Sequence, residues 1–370
     1  MALPAFLGLA LALASSLGCT PYFDPSTRTV RSEISAHGLD PDQVLVPFQL
    51  TPEMRSWVHG VVPDHLPPDQ RAQALLEALV QLDGLNLQYK PDVTGTAAEV
   101  FETRQANCLA FTHLFIAMAR AIGLNAYFLQ VEDIETFAQE GDLVINAGHI
   151  TAGTGPSTAP RVLDFSDRTD IVYRNVRKIS DLRAIALFYS NRGAERIRRH
   201  DPEAALPWLE TATRLDPHLA DGWVNLGVVL RRLGDTEGAE AAYRRALEED
   251  PHKAAAYHNL AALYRHIGRE DLVQPLLEAA DQAKNRNPFT YLRLGDINLM
   301  RGNLDAAERF YRRAAQLDPE LAAAWAALGD WAARSGKERA ARRWLHHAQR
   351  LDADDSRAAA LARRLGEAGS

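Results

Sequence analysis

The sharpest constraint in the chain is a period. From about Ala186 to Asp355 an aromatic recurs every 34 residues, at Tyr189, Trp223, Tyr257, Tyr291 and Trp325. Three places after each stands Arg192, Leu226, Leu260, Leu294 or Leu328, followed directly by Gly193, Gly227, Ala261, Gly295 or Gly329. Further on, Ala205, Ala239, Val273, Ala307 and Ala341 share one position, and Ala212, Ala246, Ala280, Ala314 and Ala348 share another. Pro217, Pro251 and Pro319 close three of the units. A unit of this length cannot bury its apolar face alone, so neighbours must stack into a solenoid. Small residues where helices cross and large ones between them specify a helix-turn-helix unit.

These residues resemble the tetratricopeptide (TPR) pattern, with five repeats over residues 184–355 and a capping helix in 356–370, where Ser356 to Leu365 is rich in Arg and Ala and Gly366 stops it. The resemblance implies an all-α solenoid whose concave groove holds a protein or peptide and does no chemistry itself. The groove side chains are mixed, without a dominant basic clamp.

The first half is organised around Cys108, one of two cysteines in the chain. From Leu109 the apolar residues Phe111, Leu114, Phe115, Met118, Ala119 and Ile122 recur at helical spacing, and Gly123 ends the run. Cys108 therefore sits at a helix N-terminus, where free N–H groups and the helix dipole favour a thiolate. Three strand-like runs follow: Ala126 to Val131, Leu143 to Ala152 with His149, and Arg161 to Phe165 with Asp164. A thiol nucleophile needs a base and a group to orient that base, and His149 and Asp164 come in that order. His113, five places after Cys108 on the same helix, points about 140° away at ~100° per residue and reads as structural. Asp167 and Asp170 rival Asp164, but Asp164 alone lies inside an apolar run. The short helix Ala97 to Thr103 delivers the chain to this site, and helical patterns at Thr51 to Val58 and Asp69 to Leu82 should pack on it.

Asn107-Cys108, the helix FTHLFIAMARAIGLNAYF, Gly148-His149, Leu163-Asp164-Phe165 and the lead-in TAAEVF resemble the transglutaminase-like superfamily of papain-like enzymes, over about Leu45 to Ser180. The resemblance implies an α+β domain at 45–183 with a catalytic triad on Cys108, His149 and Asp164. The backbone N–H of Cys108 would serve the oxyanion, with Gln105 or Asn107 as side-chain helpers. Many members have Gly where this chain has Ala106. The implied chemistry is attack on a peptide or carboxamide carbonyl through a thioester, with hydrolysis more common among bacterial relatives than cross-linking. The rival reading is a non-catalytic scaffold in which the repeats carry the function.

Met1 to Gly18 is an apolar run ending in SSLGC and reads as a signal peptide. Gly18-Cys19 resembles a bacterial lipoprotein signal, which implies lipid on Cys19, a polar tether over 19–44, and a periplasmic place at the outer membrane, since Thr20 rather than Asp follows. A plain cleaved signal or a buried N-terminal helix, and a Cys19 to Cys108 disulfide, are the competing accounts. The net charge of −7 is uneven: residues 20–180 hold 20 acidic and 12 basic side chains, residues 181–370 hold 28 and 29. Neither part is basic enough to track phosphates, so nucleic acid is not an expected partner. Glu132 to Asp142 is acidic and reads as a loop between strands, either a solvated surface or a rim favouring basic substrates. No metal-ligand spacing or phosphate loop occurs, and no cofactor is expected.

Overall fold

The computed structural model describes residues 25–140, 143–163, 176–283 and 288–366, of which 25–27, 132–140, 143–149 and 254 by backbone alone. The apolar run Met1 to Gly18, with Cys19, lies outside them. No helix among the described residues is long and apolar enough to cross a membrane.

Residues 25–36, polar enough to read as tether, instead form helix α1 (Pro25–Ala36). Val30 and Ile34, one turn apart, are buried in the first core, and two such residues are all the apolar stripe this helix needs. Helix α2 (Pro52–Val61) starts at Thr51, whose hydroxyl accepts the Met54 N–H, and α3 (Pro68–Val80) begins behind Pro67. After β1 (Gln88–Tyr89) comes α4 (Ala97–Thr103), fixed by a capping box between Thr96 and Glu99. Strand β2 (Gln105–Ala106) pairs parallel with β1 and leads into α5 (Cys108–Ala121). Every residue of α5 from Leu109 to Ala119 is buried, the mark of a central helix covered all round. Helices α2, α3 and α4 pack against it.

The sheet also packs on α5. It holds β3 (Ala126–Glu140), β4 (Leu143–Thr154), β5 (Arg161–Leu163) and β6 (Val176–Lys178) in the order β5-β4-β3-β6, all neighbours antiparallel. Residues 132–140 of the acidic segment are therefore strand, not loop. Ala126 to Val131 pair with His149 to Thr154, the register then shifts across 132–134, and Glu135 to Glu140 pair with Leu143 to Gly148. The bulge breaks the two-residue alternation by which a strand is read, and pairing with β4 supplies what local pattern does not. Among the described residues β6 meets Leu129 to Val131 and β5 meets Ala152 to Thr154.

From Ser180, whose hydroxyl caps the next helix, the chain runs as five helical hairpins. They are α6 (Asp181–Arg198) with α7 (Pro202–Leu215), α8 (Ala220–Arg232) with α9 (Thr236–Glu249), α10 (Ala254–His266) with α11 (Glu270–Gln282), α12 (Pro288–Met300) with α13 (Leu304–Leu317), and α14 (Ala322–Arg334) with α15 (Glu338–Leu351). Helix α16 (Ser356–Arg364) closes the stack, with Arg357 reaching Asp296 at 2.8 and 2.5 Å and Arg364 reaching Asp330. Asp296 and Asp330 are one period apart, so the cap reads a repeated position. The turn inside each hairpin has one residue in left-handed backbone: Gly234, Gly268, Gly302 and Gly336 in four, and His200 at φ 58° in the first.

The first core does not stop at the sheet. It runs through residues 183 and 184 into α6 and α7, taking in Ala184, Ile185, Phe188, Tyr189, Ala212 and Leu215. Arg120 grips Asp181 with both guanidinium nitrogens at 2.7 and 2.8 Å, and the Tyr189 hydroxyl accepts the Leu45 N–H at 2.7 Å.

Candidate functional site

The approach to Cys108 is set by backbone geometry. Arg104 ends α4 at φ 61° and turns the chain into β2. Pairing then fixes the turn on three sides: Gln88 N–H to Arg104 O at 2.8 Å, Lys90 N–H to Ala106 O at 2.9 Å, and Asn107 N–H to Val93 O at 3.0 Å. Asn107 becomes the N-cap of α5, its Oδ1 accepting the Ala110 N–H at 2.9 Å. Its Nδ2 donates to Thr94 Oγ1 at 2.8 Å. The Asn107 carboxamide is thus buried and engaged through both Oδ1 and Nδ2. Gln105, the other side chain expected to help an oxyanion, lies exposed on β2.

Cys108 is the first residue of α5, half-buried, with a free thiol. The first N–H groups of a helix have no acceptor within it, and here those are the N–H groups of Cys108 and Leu109. A reacting oxygen brought beside the thiol would meet them.

Thr94 links this helix start to the first hairpin. Its N–H donates to Glu195 Oε1 at 2.7 Å, and its carbonyl accepts from Arg192 at 3.0 Å, both on α6. One turn into α5, Thr112 joins the cysteine to the sheet, with its hydroxyl 2.7 Å from Cys108 O and 3.5 Å from Ile150 O. Ile150 follows His149 on β4. Next along, Thr151 Oγ1 donates to Leu163 O at 2.6 Å, holding the last residue of β5 against β4.

The structure therefore brings Cys108 and the strand that bears His149 together. His149 pairs with Val131 at the last step before the register shift, and bulges at such places re-aim what the strand carries. Its side chain is outside what is described, and Asp164, which follows Leu163, lies outside the described residues altogether. Thr94 and Glu195 are not signalled by any sequence motif, whereas Arg192 stands at a repeat position that holds Leu in the other four units. Thr112 is signalled, as a hydroxyl four places after Cys108 on an otherwise apolar helix.

His113, the rejected alternative base, is fully buried with its ring 5.7 Å from those of Phe128 and Phe188 and 6.2 Å from that of Phe48. Burial, only partly offset by the nearby backbone of Gly95 and Ala184, pushes its imidazole down to about 3. It is a neutral core residue.

Comparison with known proteins agrees with this layout. Residues 55–131 match the transglutaminase-like superfamily, a stretch that contains Cys108 and ends before His149. Residues 191–254, 242–274 and 288–321 each match tetratricopeptide repeats. No curated protein matches the chain significantly. Among solved structures the chain is similar to MamA from Desulfovibrio magneticus RS-1, at 24% identity over 46% of this chain and 97% of that one, with a TM-score of 0.36. It is also similar to PilF from Pseudomonas aeruginosa (21% identity, 49% and 83% covered, TM-score 0.43). A third is YrrB, described as a TPR protein with an unusual peptide-binding site (21%, 49% and 92%, TM-score 0.36). The chain carries a transglutaminase-like domain followed by tetratricopeptide repeats.

Proposed function

We propose that the chain is a cysteine acyl-transfer enzyme, acting on peptide or carboxamide bonds, with a repeat array that holds a protein or peptide. The observation that carries this reading is Cys108 itself: a free, half-buried thiol on the first residue of a capped helix, with the His149 strand packed on that helix. In this reading Cys108 attacks the carbonyl carbon, His149 takes the thiol proton and returns it to the leaving amine, and Asp164 orients the imidazole. The carbonyl oxygen, negative in the tetrahedral intermediate, meets the N–H of Cys108. Collapse expels the amine and leaves a thioester, which water resolves by the same route; hydrolysis is preferred here to transfer onto a second amine. The reading further places the enzyme in the periplasm, tethered by lipid on Cys19.

The test is alkylation of Cys108 by iodoacetamide across pH, followed by mass spectrometry, in the parent and in His149→Ala. An activated pair predicts that the variant loses about tenfold or more of its rate near neutral pH while the two converge at alkaline pH. Equal profiles would remove His149 as the base. Loss of lipid labelling in Cys19→Ser tests the tether separately.

A further inference from the structure

The first helices of successive hairpins pack on one another, whereas each second helix packs on its own first helix and on the helix that follows it. The second helices therefore make the outer wall of the stack, and along that wall the charge reverses. Helix α7 carries two carboxylates and one arginine, α9 four and two, and α11 four and none, whereas α13 has two against three arginines and α15 one against four. A bias toward arginine in the whole chain would touch all five alike. The position that holds Glu203, Glu237, Asp271 and Asp305 in the first four units holds Arg339 in the fifth. It lies in the first turn, where the helix dipole favours a carboxylate, so the fold has no use for a cation there. At a second position Pro207, Ala241 and Pro275 give way to Arg309 and Arg343.

These side chains are laid out as a surface. Arg312 of α13 and Arg343 of α15 each hold the guanidinium carbon 5.7 Å from the centre of the Trp344 ring, and that of Arg309 lies 5.9 Å from the centre of the Phe310 ring. Both rings are half-buried and the arginines are exposed. Among the described residues Arg309, Arg339 and Arg343 make no ion pair. A guanidinium lying on a ring keeps its N–H edge free for a phosphate. The same stacking covers the rings that a nucleic acid would need bare for its bases, and the carboxylates of α7 to α11 repel a polyanion running along the wall. A lipid surface needs to touch α13 and α15 alone.

We infer that the outer face of α13 and α15 is a docking surface for an anionic phospholipid membrane, whose phosphates are taken by arginines braced on Phe310 and Trp344. Each arginine held at such a surface strengthens the contact about fivefold. The net charge of −7 opposes the approach of the chain as a whole, so attraction to anionic lipid has to be local. The surface does not depend on the chemistry proposed for Cys108. To the lipid proposed on Cys19 it adds a second contact, three hairpins beyond the one on which α1 packs.

The experiment is co-sedimentation with vesicles of phosphatidylcholine alone and of equimolar phosphatidylcholine and phosphatidylglycerol, using the full chain with Cys19→Ser so that no acyl group contributes. Met1 to Gly18 holds no charged side chain and adds equally to both. The chain is expected to prefer the anionic vesicles by about tenfold or more at low salt and to lose that preference as salt is raised. The test variant, Arg309→Ala with Arg339→Asp and Arg343→Ala, gives α13 and α15 residues that other units carry at these positions, so it suits the helices. It is expected to lose most of the preference, while Arg244→Glu with Arg245→Glu on α9, the same change of net charge, keeps it. Equal binding of the parent to both vesicles, a test variant that binds like the parent, or equal loss in the two variants overturns the surface. So does arginine-dependent binding of a single-stranded oligonucleotide in place of the vesicles, which would make the ligand a nucleic acid. Should the test variant not fold, the parent decides: a preference indifferent to salt overturns the proposal. No readout uses catalysis, so loss of this surface and loss of the enzyme reading remain separable.

Discussion

Glu195, on the first hairpin, accepts the backbone N–H of Thr94 at 2.7 Å, across 101 residues of chain. Thr94 in turn accepts from Asn107, the residue that caps the Cys108 helix. The first repeat is thus wired to the start of the candidate catalytic helix, and the wire is buried at Thr94, Asn107 and Glu195. Glu195→Ala leaves the Thr94 N–H without its acceptor, at a cost of about 1–3 kcal/mol. Glu195→Gln retains a carbonyl oxygen there and is expected to lose less than about 1 kcal/mol. Urea unfolding measures both. The site readout is Cys108 alkylation, which should change in the alanine variant and return toward the parent in the glutamine variant.

His113 makes the first core sensitive to acid. Its folded pKa, about 3, lies below the usual 6.5, so on acidification the unfolded chain takes up the proton first. Its contribution is therefore complete above about pH 6.5 and is lost as pH falls toward about 3, at roughly 1.4 kcal/mol per unit. His113→Leu removes that slope. In urea unfolding at the two pH values the parent should lose about 2 kcal/mol relative to the variant between pH ~6.5 and ~5.

His200 stands where the other four hairpins have glycine, at φ 58°. A side chain in left-handed backbone costs on the order of 1 kcal/mol, partly offset by the greater freedom glycine has when unfolded. His200→Gly is therefore expected to stabilise the first hairpin by roughly 0.5–1 kcal/mol. Thermal unfolding of the two proteins checks it. A lower transition temperature in the variant would mean that the imidazole makes a contact worth more than the strain.

The repeats were legible because their period is carried by side chains that must interlock, such as Gly227 with Tyr243. Helix α5 was legible for a local reason: apolar spacing from Leu109 and a stop at Gly123, which adopts φ 76°. What escaped the sequence is what depends on distant partners. Val30 and Ile34 mark α1 as helix only because α6 lies beside them, since α1 otherwise looks solvated. The acidic residues of β3 form strand because β4 pairs with them past a bulge. The start of α5 at Cys108 was readable, yet the ties that hold that start were not: Thr94 to Glu195 joins segments between which no motif runs. The ties of Asn107 escaped for the same reason: that its carboxamide caps α5 and reaches Thr94 is visible only once Thr94 and Ala110 stand beside it.

In the first, second and fourth hairpins a glycine faces a large side chain sixteen places on, and the second shows how little room is left. A Cβ placed on Gly227 would lie 2.5 Å from the ring of Tyr243, which is fully buried and cannot turn away. Gly227→Ala should therefore cost about 1–3 kcal/mol through overpacking, though alanine is the better helix former by about 1 kcal/mol. The third hairpin already holds the compensated pair, Ala261 with Leu277, both buried. Tyr243→Leu alone opens a cavity and should also destabilise. The double variant Gly227→Ala, Tyr243→Leu copies the third hairpin into the second and should recover at least ~1 kcal/mol relative to the sum of the singles. A double-mutant cycle in urea gives that coupling directly. Additive losses would mean that the two positions do not set the spacing together, and that the hairpin is held apart by its neighbours in the stack.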